Sequence, residues 1–188
     1  MTSTSTSVTS AARVGLLREL IRAARNVLEG TMADVTPEQV HYPPPGIANP
    51  LGATYAHVII SEDLVVQGMF KQSAPLFAST WAGRTGLSEP MPMPGGEEWA
   101  KYPAWTRSVK IDLAALRAYG QAVASATDDW LTSLSDEDLD RPMDLTGVGL
   151  GQHTWGSAIG LLIANHLGTE TGEIAVLKGI QGARGYPF

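Results

Sequence analysis

Apolar side chains recur at three- and four-residue spacing through Val14, Leu17, Ile21, Ala24 and Leu28, which places them on one side of a helix with 3.6 residues per turn. This predicts an amphipathic helix from Ser10 to Glu29, ending near Gly30, with Arg18, Arg22 and Arg25 on another side as a solvated face. Between Thr36 and Pro50 the pattern breaks at Pro43, Pro44, Pro45 and Gly46. Proline lacks the amide donor that a helix interior needs, so an ordered or semi-rigid loop is expected. The helical period returns through Ala53, His57, Ile60, Leu64 and Gly68, predicting a second helix to about Gln72, with Asn49 as N-cap and Pro50 in the first turn. Leu116, Tyr119, Val123, Ala126 and Trp130 mark a third helix from Ile111 to Ser133. Thr154 then caps a fourth, Trp155 to Lys178, whose stripe reads Ile159, Ile163, His166, Glu170, Ile174 and Leu177.

The connections are long. Pro75 to Ser108 carries Pro90, Pro92, Pro94 and Pro103 together with Trp81, Trp99 and Trp105. A stretch of this length inside a compact domain either covers a site or contains short structure of its own. Its rings either pin it to the body or line a ligand pocket. Ser135 to Asp138 reads as a short capped turn stopped by Pro142, Gly147 and Gly149 as a flexible loop, and Gly179 to Phe188 as a tail over the surface. No strand alternation of comparable strength and no internal repeat appear. The expected fold class is therefore all-α, a four-helix bundle with long loops between helices. The 188 residues fit one domain, read here as 10–188, preceded by a Thr/Ser-rich tail at 1–9 expected to be disordered.

Composition narrows the function. Hydrophobic residues make up 44% and charged residues 17%, enough apolar material for a core. The net charge of -6, with no basic block, argues against nucleic acid as a partner. No apolar run approaches the roughly 20 residues of a membrane span, and the start lacks the charged and apolar regions of a secretory signal. A cytoplasmic location is the expectation. The chain has no cysteine and four histidines, so any metal site rests on imidazole and carboxylate.

The informative residues are polar ones in apolar stripes. His166 and Glu170 are four apart and project from one helix face, and His57 falls in the stripe of the second helix. A carboxylate there needs a partner, since an isolated buried charge costs several kcal/mol. The fourth helix offers no Lys or Arg on that stripe before Lys178. A cation held by His57, His166 and Glu170 would supply the partner. Two imidazoles and one carboxylate suit zinc with an open position, and also iron, nickel or manganese. The same spacing also fits a hydrogen-bonded core histidine or a His–carboxylate pair. Glu173, seven residues after His166, is an alternative ligand or a supporting partner. Glu62 lies about 140° around its helix from His57 and is not expected to share the site. His41 and His153 are expected as surface or capping residues.

The segment His166-Leu-Gly-Thr-Glu-Thr-Gly-Glu-Ile174, followed by Leu177-Lys-Gly-Ile-Gln-Gly182, resembles the last helix of DinB/YfiT-like proteins. The resemblance extends to the second-helix histidine in Leu51-Gly-Ala-Thr-Tyr-Ala-His57. It implies a four-helix bundle, often a homodimer, that holds one divalent metal by three side chains, usually histidines. His57 and His166 match two of them, and Glu170 stands where the family has a third histidine. That departure lowers the positive charge of the site by one and raises the pKa of a bound water relative to a three-histidine site. Implied activities are thiol S-transfer, maleylpyruvate isomerisation and metal-dependent hydrolysis, which share a cation that activates an anionic nucleophile. Without cysteine, a thiol would come from a low-molecular-weight cosubstrate. The reading from another class is a non-catalytic, stress-associated binding or scaffolding bundle with a structural or vestigial His/Glu site.

Overall fold

A computed structural model describes residues 12–94 and 96–188. The tail expected at 1–9 lies outside the described residues. Helix α1 spans Ala12–Met32 and buries Val14, Ile21, Leu28, Thr31 and Met32. A short helix α2, Pro37–Val40, interrupts the proline-rich loop, started by a capping box in which Thr36 and Gln39 bond each other's backbone. Helix α3, Leu51–Asp63, continues through a π-helical stretch, Leu64–Phe70. Helices α4, Tyr102–Ser108, and α5, Leu113–Thr132, follow, and Asp112 caps α5 by accepting from the Ala114 and Ala115 amides. Strands β1, Pro142–Leu145, and β2, Gly151–Thr154, form an antiparallel hairpin. The last long helix runs as α6, Trp155–Ile159, a π-helical stretch, Gly160–Asn165, and α7, His166–Ile180. The architecture is the expected helical bundle, in which α3 packs on both α5 and α7, and α7 also on α1.

Helix α3 is the centre. Of its residues only His57 and Ser61 escape full burial, as a helix apolar nearly all round requires. Its neighbours come close because Gly52 and Gly120 lack side chains. A Cβ on Gly52 would meet the Val40 carbonyl at 2.8 Å, and one on Gly120 would meet Ile59 Cδ1 at 2.9 Å.

Several expectations change. Pro50, not Asn49, is the N-cap of α3, and it makes no side-chain cap bond. The Gly147–Gly149 loop belongs to a hairpin, which four-residue strands are too short to announce by alternation. Gly149 and Gly151 supply the left-handed backbone at φ 80° and 78° on which it turns.

The arginines of α1 are a solvated face only in part: Arg22 is exposed, whereas Arg18 and Arg25 are largely covered. Arg18 and Arg22 both bond Asp128 of α5, at 3.0 and 2.8 Å. Arg25 pairs with Glu62, whose other oxygen accepts from Thr127 Oγ1 at 2.7 Å. The hydrogen bonds from Arg18 and Arg22 hold the Asp128 carboxyl down to about 2. A carboxylate whose pKa is depressed in the fold stabilises above its unfolded value of about 3.9, and the gain vanishes as pH falls through the folded value. Asp128→Asn should therefore have a lower urea midpoint than wild type at neutral pH. That gap is expected to close between about pH 4 and pH 2, measured by denaturation across that range.

Candidate metal centre

The last long helix positions two of the three residues. Its buried stripe runs Ile159, Ile163, Leu167, Thr171, Ile174 and Lys178. The π-helical stretch carries more residues per turn than an α-helix and so resets the phase just before His166. His166 and Glu170 consequently sit beside the buried stripe and not within it, with side chains 24% and 21% exposed. Lys178 falls on the buried stripe and donates to the Thr31 carbonyl at 2.6 Å and to Asp34 at 2.5 Å, away from Glu170. His57 reaches the same place from the one open face of α3.

The three meet. His166 Nε2 lies 3.2 Å from His57 Nε2 and 3.6 Å from Glu170 Oε1. One donor atom from each residue falls within 4.8 Å of the others. With zinc–ligand bonds of about 2.0–2.1 Å, neighbouring donors at the corners of a tetrahedron stand about 3.3 Å apart. Two of the three donor separations are close to that spacing and the third lies within 4.8 Å, so the group could hold a divalent cation. Burial, reinforced by His166, pushes the His57 imidazole down to about 4, and burial also lowers His166. Both rings are thus neutral near pH 7, with lone pairs available. Burial first, then the Glu173 charge, lifts the Glu170 carboxyl to about 7, where a nearby cation would hold it ionised.

The surrounding residues orient this group. Ser61 Oγ lies 3.4 Å from His57 Nδ1, leaving Nε2 to face His166. Glu173 does not join the cluster: its Oε1 accepts from Thr54 Oγ1 at 3.2 Å. Glu62 is turned away towards Arg25, as its helical angle required. His41 bridges the Pro37 carbonyl and the Ile111 amide, each at 3.0 Å, so it ties the proline loop to the start of α5. His153 bonds Ser157 Oγ at 2.8 Å and the Leu150 carbonyl at 3.0 Å, in the hairpin.

Tyr102 was not singled out from sequence. Its ring meets His57 edge-on at 5.7 Å and stacks on Trp99 at 4.3 Å and on Trp105 at 5.7 Å. Burial, with the charges of Glu170 and Glu173, raises its hydroxyl pKa, so it stays protonated. The tryptophans divide the two roles open to them. Trp105 is buried and donates to the Glu89 carbonyl at 3.3 Å, pinning the connection. Trp81 packs against Tyr119 at 5.8 Å. Trp99 remains exposed beside the cluster.

A helical bundle carrying a His–His–carboxylate cluster between its second and last long helices is the class that fold and site define. The chain belongs to the DinB superfamily, whose family model matches residues 20–174. Its fold is similar to that of a conserved protein from Enterococcus faecalis, known from a crystal structure, with a TM-score of 0.71 at 20% identity over 88% of this chain and 95% of that one. No curated protein matches this sequence. Among the described residues, no helix is long and apolar enough to cross a membrane.

Proposed function

We propose that His57, His166 and Glu170 hold one divalent ion, zinc in first place with nickel, iron or manganese as alternatives, in a metal-dependent enzyme. The enzyme would act on a small electrophile by thiol S-transfer or hydrolysis. The convergence of three donor atoms within 4.8 Å from two helices, beside an exposed face, carries this reading. A divalent ion there supplies Lewis acidity, which makes a thiol or water more acidic and hence nucleophilic at neutral pH.

The chain's own residues contribute the rest. Ser61 orients His57, and Thr54 keeps Glu173 at hand as a carboxylate free of the donor group. Such a carboxylate is suited to accept the proton of an incoming thiol or water. Tyr102 screens one side of His57 from solvent. With no cysteine in the chain, the sulfur in an S-transfer comes from a low-molecular-weight thiol. A homodimer, as the superfamily resemblance implies, is part of this reading.

Elemental analysis of protein purified without chelator is expected to find about one divalent transition-metal ion per chain, restored by zinc titration after chelation. Less than about 0.2 equivalents, unchanged by added zinc, would refute the metal centre.

A further inference from the structure

Beside the cluster, the turn at Glu97–Lys101 presents an aromatic surface that the proposed chemistry does not use. Trp99 stacks on Tyr102 at 4.3 Å with 22° between the planes, yet it is 36% exposed. Tyr102 in turn touches His57. The stack thus runs from the metal-type cluster outwards and ends on an indole with accessible surface. An exposed indole continuous with a site is unlike Trp105, which is buried and hydrogen-bonded as a structural pin.

Acidic residues outnumber basic ones on this turn. Glu97 and Glu98 immediately precede Trp99 on the exposed turn. Lys101, the basic residue of the turn, is tied to Glu98 at 2.7 Å. An anionic group laid on Trp99 would meet repulsion with no free cation on that turn to offset it. A planar group without negative charge gains ring stacking at no such cost.

We propose that Trp99, backed by Tyr102, is the recognition surface for the substrate's remote end, and that this end is a planar, unsaturated group carrying no negative charge. The proposal rests on the reading of the His57, His166 and Glu170 cluster as the reactive end. It makes the substrate elongated, with its reactive part separated from the planar group by the depth of the ring stack. Binding energy gathered at such a remote group holds the reactive part in place.

The test follows tryptophan indole N–H resonances in ¹⁵N-labelled, zinc-treated protein, with Trp99 assigned by its absence in Trp99→Phe. The probes are 2-naphthamide, 2-naphthoate and cyclohexanecarboxamide. The neutral planar amide should move the Trp99 resonance saturably, and the anionic and saturated probes should bind at least about tenfold more weakly. Trp99→Ala should lose the amide with zinc content unchanged, and Trp99→Phe should retain part of it. Equal binding of all three probes, or undiminished amide binding in Trp99→Ala, overturns the proposal. Zinc bound with no response at Trp99 removes the recognition surface and leaves the metal centre standing. A response at Trp99 in protein that binds no zinc supports the surface and removes the metal centre.

Discussion

Replacing His166 by alanine should drop zinc content from about one ion per chain to below about 0.2 after dialysis. His166 Nε2 is the common neighbour, 3.2 Å from His57 and 3.6 Å from Glu170. Without it, two donors remain, and zinc sites in proteins use three or four. The fold should persist, because the buried stripe of α7 runs through Leu167, Thr171 and Ile174 and bypasses His166. Far-UV circular dichroism should therefore match wild type. Glu170→Gln, which keeps shape but removes charge, is expected to lose most of the zinc, whereas Glu173→Gln should retain about one ion. Ser61→Ala, which releases the His57 ring, should weaken zinc binding by about tenfold. Full zinc retention in His166→Ala would place the metal elsewhere.

The largest stability effect is expected at Glu62. Its side chain is 2% exposed and bonds both Arg25 and Thr127. Glu62→Ala removes the carboxylate paired with the largely buried Arg25 guanidinium and leaves the Thr127 hydroxyl without its acceptor. Breaking a buried pair from one side costs about 3–5 kcal/mol, a large part of the roughly 5–15 kcal/mol that holds a domain together. Urea denaturation should show a much lower midpoint at an unchanged slope. Arg25→Met should cost a similar amount by stranding Glu62. The double change Arg25→Met with Glu62→Leu should be less destabilised than either single one, since neither member of the pair is left without the other. A loss below about 1 kcal/mol for Glu62→Ala would mean that the pair behaves as a surface bridge.

These two expectations draw on different layers of the molecule, and the sequence was legible to a different depth in each. The proximity of His166 and Glu170 follows from helical spacing alone, whereas His57, expected in the apolar stripe of its helix, lies on the one open face of α3. The Arg25–Glu62 pair was not legible. An arginine row on a helix has the same pattern whether it faces water or a neighbour, and only the approach of α1 to α3 and α5 brings Glu62 and Asp128 to it. The phase of the last helix was misjudged for a local reason, because the π-helical stretch Gly160–Asn165 leaves no mark in a 3.6-residue pattern. It moved His166 and Glu170 from the core stripe to its half-exposed border, which opens the cluster to solvent.

What the sequence determined by itself is what short-range geometry dictates: four long helices, the Thr154 cap, the pairing of His166 with Glu170, and a metal-site chemistry limited to imidazole and carboxylate by the absence of cysteine. The tertiary structure alone decided that His57 meets His166 across 109 positions of chain, that Glu173 accepts from Thr54, and that Tyr102 packs edge-on against His57. Each of these depends on how α3, α4 and α7 pack on one another. Packing is chosen by the summed fit of many apolar side chains, which no local period encodes.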